Sequence, residues 1–159
     1  DHFLEENEKV KNFMVRNTTL IFKPGITCSS MGVEFSACYL PENVTFGVNP
    51  NIICPEDDIW WLLAYLNSNL VKYIVRGILI RTNMVTSGYV ARIPVIEFQE
   101  EEKIILTGLA KELYDAARQG KTNEKKFESI NNIVYQSARI SKKSSEMVLE
   151  FCNNIVKKA

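Results

Sequence analysis

The order of apolar and polar positions divides the chain in two. Up to about residue 54 the apolar residues come in short runs or alternate with polar ones, which is the strand signature. Thr19-Leu20-Ile21-Phe22 reads as a short strand stopped by Pro24-Gly25, and Ile26-Thr27-Cys28-Ser29-Ser30 follows as the next extended piece. From Val33 to Leu40 the alternation is regular: Val33, Phe35, Ala37 and Tyr39 face one way, and Glu34, Ser36, Cys38 and Leu40 the other. Pro41-Glu42-Asn43 turns the chain, Val44, Phe46 and Val48 resume the alternation, Asn49-Pro50-Asn51 breaks it, and Ile52-Ile53-Cys54 ends this part. Residues 18–54 are therefore expected to form a small antiparallel or mixed sheet built on hairpins.

A long helix is expected next. Pro55 suits a first turn, where its missing N–H has no partner to lose, and Glu56, Asp57 and Asp58 complement the positive end of the helix dipole. Ile59, Leu62, Leu63, Leu66, Leu70 and Ile74 recur at helical spacing, widened by Trp60, Trp61, Tyr65 and Tyr73, with an end near Gly77. Residues 78–85 read equally as more helix or as an extended return. Ser87-Gly88 reads as a turn and Val90 to Val95 as another strand, Pro94 placing it at a sheet edge. Beyond Glu97 three amphipathic helices are expected, carrying Ile105, Leu106, Leu109, Leu113 and Ala117, then Phe127, Ile130, Val134 and Ala138, then Met147, Val148, Phe151, Ile155 and Val156. The fold class is thus α+β: a sheet packed on a long helix over residues 18–96, a helical appendix over 97–159, and a lead-in over 1–17.

Composition narrows the function. With 159 residues, 46% of them hydrophobic, the chain can bury a core without help from a metal or a disulfide. The first residue is Asp1 and no basic-then-apolar signal follows it, so the sequence reads as a piece of a longer protein. Asn67, Ser68, Asn69, Lys72 and Arg76 interrupt the longest apolar stretch, so a membrane span is not expected and the protein is read as soluble and cytoplasmic. Cys28, Cys38, Cys54 and Cys152 lack the close pairing of zinc ligands and read as reduced thiols packed like small hydrophobes. The one histidine, His2, leaves no base for a Ser–His or Cys–His site. Asp57-Asp58 and Glu100-Glu101-Glu102 sit at expected helix starts, where the dipole accounts for them. No phosphate-binding glycine motif occurs, and Asn49-Pro50-Asn51-Ile52 lacks the second proline and the aromatic of an amino-methyltransferase site. No catalytic residue, metal site or cofactor site is expected in this chain.

Charge placement is more informative. Lys+Arg 19 balances Asp+Glu 19 overall. Yet from Lys72 to Arg92 the chain holds Lys72, Arg76, Arg81 and Arg92 with no acid, interleaved with Thr82, Asn83, Thr86, Ser87 and Tyr89. Glu97, Glu100, Glu101 and Glu102 follow directly. A solubilising fringe is the ordinary reading of such a segment from charge alone. Phosphate neutralisation by Lys and Arg, with Arg and Asn contacts to base edges, is the functional one.

The stretch from Ile26 to Val95 resembles the TaqI-like C-terminal specificity, or target-recognition, domain of adenine-specific DNA methyltransferases. These occur in type IIG/IIS restriction–modification enzymes and in BREX phage-defence methylases. The similarity lies in Ile26 to Ser30, Phe35 to Pro41, the run Leu62-Leu63-Ala64-Tyr65-Leu66-Asn67-Ser68-Asn69-Leu70, and Thr82-Asn83 with Ser87 to Pro94. The chain departs from the pattern at Cys28, where an aromatic is common, and at Cys38, where Arg is common. The resemblance implies a double-stranded DNA-binding module without catalysis of its own. Methyl transfer from S-adenosylmethionine would belong to another domain of the same polypeptide, so the implied partners are methyltransferase and nuclease domains of that polypeptide. The residues expected to face DNA are Lys23, Ser29, Ser30, Lys72, Arg76, Arg81, Thr82, Asn83, Ser87, Tyr89 and Arg92. A rival reading makes residues 97–159 a protein-interaction or dimerisation module, like the spacer helices of type I specificity subunits. It expects an exposed stripe of Met147, Phe151 and Ile155.

Overall fold

A computed structural model describes residues 20, 22–32, 34–44, 51–53, 58–80, 82 and 84–155. The fold is mixed α+β. Three short strands, β1 (Gly25–Cys28), β2 (Ala37–Leu40) and β3 (Asn51–Ile53), form an antiparallel sheet in the order β2-β1-β3. The helices are α1 (Ile59–Leu66), α2 (Asn69–Tyr73), α3 (Ser87–Val90), α4 (Glu100–Arg118), α5 (Glu124–Ser137) and α6 (Lys142–Ile155), with a π-helical segment, Ile74–Leu79, continuing α2.

The sheet forms where the alternation is strongest, though it is shorter than expected. Of the run beginning at Val33, only Ala37–Leu40 is strand. Its two faces are not simply inside and outside, because Phe35, Ala37 and Leu40 are all buried while Cys38 is exposed. The expected strand at 19–22 does not form in its described part: Leu20 lies in a 3-10 turn and Phe22 takes a positive φ of 68°. Residues 45–50, which carry the Phe46 and Val48 alternation, and Cys54 to Asp57 lie outside the described residues.

The long helix expected from residue 59 is broken at Asn67-Ser68. Asp58 caps α1, its carboxylate accepting from the Trp60 N–H at 3.0 Å. Asn67 ends α1 and turns its amide to β2. It accepts from the Ala37 N–H at 3.1 Å and donates to the Ala37 carbonyl at 2.9 Å and to the Leu63 carbonyl at 3.0 Å. Ser68, itself buried, starts α2 by accepting from the Val71 N–H. Polar side chains offered these backbone groups a better partner than continued helix, as short polar residues do at helix ends. Gly77 does not stop the helix. It sits inside the π-helical segment, where a Cβ would stand 3.2 Å from the Tyr73 ring and 3.3 Å from Phe151. A side chain there would force those rings apart.

The strand expected over 90–95 is absent. Ser87–Val90 is a short helix, Arg92 and Ile93 bond back to the Tyr89 and Val90 carbonyls, and residues 94–99 are irregular. Pro94 cannot donate to a ladder, and its carbonyl instead accepts from the buried Tyr65 hydroxyl. Residues 78–85 divide between the two readings: Ile78 and Leu79 finish the π-helical segment, and Ile80 is extended.

The three C-terminal helices form as expected. Gln99 and Glu102 cap α4 reciprocally, and Asn123 caps α5. One core runs through both halves of the chain, from Ile26, Phe35 and Tyr65 to Leu106, Ile130 and Val134. Of the stripe expected on α6, Met147 is exposed and Phe151 packs edge-on against Tyr73 at 5.1 Å, while the Ile155 side chain lies outside the described residues. Among the described residues no helix is long and apolar enough to cross a membrane.

Two outcomes test this packing. Asn67→Ala removes three hydrogen bonds and leaves an edge N–H and two carbonyls without that partner, for a loss of ~2–3 kcal/mol in urea unfolding. Asn67→Asp does not restore it, since a carboxylate cannot donate to the two carbonyls. Burial also pushes the Cys28 thiol and the Tyr65 phenol each up to about 12. Both acids keep their protons more tightly folded than unfolded, so their contribution is complete below pH ~9 and is lost as the pH rises towards 12. Unfolding free energy measured from pH 8 upward falls by as much as ~1.4 kcal/mol per unit for each group. Cys28→Ala removes the part beginning near pH 9 and leaves the tyrosine's, which begins near pH 10.

Candidate nucleic-acid interface

The β1–β2 loop, residues 29–36, and the segment after the π-helical turn meet at one end of the sheet. Met31 and Met84 form an isolated antiparallel bridge, and the Val85 N–H donates to the Ser30 carbonyl at 2.8 Å. Arg76 clamps both loops from the π-helical segment: one Nη donates to the Gly32 carbonyl and the other, at 3.1 Å, to the Thr82 carbonyl. A planar fork suits two carbonyls at a fixed angle in a way a flexible ammonium does not. The Arg76 Nε is buried without a partner among the described residues, and burial lowers the guanidinium's pKa. Gly32, with φ of 115°, supplies the left-handed turn that presents its carbonyl to the clamp.

The expected DNA-facing residues divide accordingly. Ser29 pins its own loop, its Oγ accepting from the Ser36 N–H at 3.1 Å, and Ser30 contributes its carbonyl to Val85. Lys72, on α2, is paired with Glu34 of the β1–β2 loop. Thr82 is exposed beside the clamp, its hydroxyl reaching the Met84 carbonyl at 3.4 Å. Ser87 is exposed in the first turn of α3, Tyr89 packs half-buried against the core, and Arg92 is exposed with no acidic partner among the described residues. Arg81 and Asn83 lie outside the described residues. Lys23 stands apart from Ser29 and Ser30. It precedes β1 while they follow it, and a strand of four residues separates the two ends by upwards of ~13 Å.

The arrangement therefore has a clamped frame and a surface carried on it. Arg76 and Lys72 belong to the frame, the first spent on carbonyls and the second neutralised by an acid. Thr82, Ser87 and Arg92 are on the surface, with two exposed thioethers, Met31 at 66% and Met84 at 56%, that give the loop tip an apolar character. Sequence reasoning missed Met31, Met84 and Glu34; nothing in a period-two pattern marks an exposed methionine or tells which cation an outward glutamate will meet. Two of the glutamates over 97–102 pair within or beside α4: Glu100 meets Lys103 at 2.7 Å, and Glu102 caps Gln99 and accepts from Ser137 at 2.9 Å. Cys38 departs from the expected packed thiol, being exposed, whereas Cys28 is buried. Among the described residues no group of three or more His, Cys, Asp or Glu side chains gathers as a metal site.

Removing the clamp should loosen both loops together. Arg76→Ala is expected to cost ~1–2 kcal/mol and to speed hydrogen exchange at the Val85 amide far more than at amides of α4. Arg76→Lys recovers little of this, because one ammonium cannot hold both carbonyls.

No protein-family model matches this chain, and no curated protein matches it.

Proposed function

We propose that this chain is a DNA-recognition module that sets the register of duplex DNA for a catalytic domain outside it. The observation that carries the reading is the junction of residues 30–32 with Thr82, Met84 and Val85 under the Arg76 clamp, the last three within a stretch from Lys72 to Arg92 that contains no acid. Loops that must read base edges need a fixed spacing between their contacts, and a guanidinium fork on two carbonyls provides one. Arg92 and Arg81 are the cations this reading assigns to DNA, with Asn83, Thr82 and Ser87 as hydrogen-bonding groups. Arg76 is a positioning residue, and Lys72 reaches phosphate only by exchanging Glu34 for it. Lys23, at the far end of β1, contacts DNA only if the duplex extends along the sheet. The target-recognition resemblance supplies the parent activity in this reading: N6 methylation of adenine from S-adenosylmethionine, in a restriction–modification or phage-defence system.

Fluorescence anisotropy with the full chain and a pool of random-sequence duplexes tests it. Binding should tighten as salt is lowered, and Arg92→Ala should weaken all duplexes alike and reduce the salt slope by about one. Arg81→Ala should instead cost ~1–3 kcal/mol at one base position. Unchanged binding at low salt in both variants, or no binding by the wild-type chain, overturns the reading.

A further inference from the structure

A second site lies at the outer edge of β2. The sheet order β2-β1-β3 leaves β2 at an edge. In an antiparallel ladder every second residue turns both its N–H and its C=O away from the neighbouring strand. Ser29 and Ser36 are a bonded pair, so by the register Cys28↔Ala37 and Ile26↔Tyr39 are non-bonded ones, and Ala37 and Tyr39 point their backbone groups outward. Asn67 covers Ala37 on both groups, as a partner strand would. Tyr39, two residues on, has the same outward N–H and C=O, and no described residue hydrogen-bonds them.

The space beside that free couple is a groove of about 390 Å³ between β2, α1, α4 and α5. Its walls are apolar, formed by Leu63, Ala64, Leu113, Ala117, Phe127 and Ile130. The Tyr39 ring stacks on Trp60 at 4.7 Å and meets Tyr114 edge-on at 5.6 Å, and the Arg118 guanidinium lies 5.9 Å from the Tyr114 ring. Lys111 stands over Trp60 at 5.8 Å. Neither cation has an acidic partner among the described residues, whereas Lys126 nearby is paired with Glu112.

We propose that this groove binds a short, extended, apolar peptide ending in a free carboxylate. The peptide's backbone would pair with Tyr39 where the next strand would lie, its apolar side chains would fill the groove, and its carboxylate would meet Arg118. An edge strand gives main-chain affinity and an adjoining pocket gives selectivity, the ordinary division of labour when a peptide adds to a sheet. Arg118 lines the same groove as Tyr39, its guanidinium over the Tyr114 ring that Tyr39 meets edge-on. A chain end lying in the groove can therefore present its carboxylate to Arg118. This site is independent of the DNA reading, since it uses none of the same residues.

Titration calorimetry on the full chain tests it with acetyl-Ala-Val-Leu as the free acid, as the C-terminal amide, and methylated on both internal amide nitrogens. The free acid should bind saturably and at least about tenfold more tightly than the amide, and the methylated peptide should lose binding. Arg118→Gln should bring the acid down to the level of the amide. Ala117→Trp, at an exposed position on the groove wall, should abolish binding with an unchanged circular dichroism spectrum; the three-peptide comparison on the wild-type chain stands without either variant. Equal binding of acid and amide, undiminished binding of the methylated peptide, or no binding up to about 1 mM overturns the proposal. Tighter binding of decanoate than of the peptide replaces it with a lipid-like ligand, and a dimer that Ala117→Trp dissociates replaces it with self-association.

Discussion

The Asn67 amide decides how the two layers of this fold meet. A helix that had run on from Leu66 would have carried its own hydrogen bonds past the sheet edge without touching it. With the chain broken there, one side chain satisfies the Leu63 carbonyl at the end of α1 and both backbone groups of Ala37 on β2. The sheet edge, the end of α1 and the start of α2 at Ser68 are thereby fixed to one another. The rest follows from that joint. α1 lays its buried face, Leu63 to Leu66, against the sheet and against α4, while α2 is redirected towards α5 and α6, where Asn131 accepts from the Asn69 N–H at 2.8 Å.

Electrostatics has a structural use here before a functional one. Of the four cations between residues 72 and 92, Arg76 is spent on two carbonyls and Lys72 on Glu34. A buried or half-buried guanidinium is stabilised by carbonyl dipoles that replace its water, so its position in the π-helical segment is also the reason the two loops stay together. Function, on the proposed reading, falls to the exposed groups the clamp holds in place. Of the acidic run that follows, Glu100 pairs with Lys103 and Glu102 closes the Gln99 cap, both at the start of α4.

Much of the helical half was legible because each helix there is amphipathic over many turns and carries its own punctuation. Gln99 with Glu102 and Asn123 mark starts that local chemistry alone enforces. The sheet half was less so. Strands of three and four residues carry too few positions for alternation to fix their ends, and Leu40 is buried on the face where alternation expects exposure. The segment at 90–95 has β-favouring residues, yet with Pro94 in it short-range turns won.

The sequence by itself determined the class of the fold, the three C-terminal helices, the two hairpin-forming strands β1 and β2, and a non-acidic stretch between residues 72 and 92. These depend on periodicity, capping and charge order, which are local properties of a chain. Only the tertiary structure decided that Arg76 is a clamp, that Lys72 meets Glu34, that Lys23 stands apart from Ser29 and Ser30, and that Tyr39 faces an apolar groove beneath Arg118. Each of those depends on which side chain from a distant part of the chain arrives at a given backbone group. Hydrogen-bond partners separated by 30 to 44 residues leave no periodic trace in the sequence.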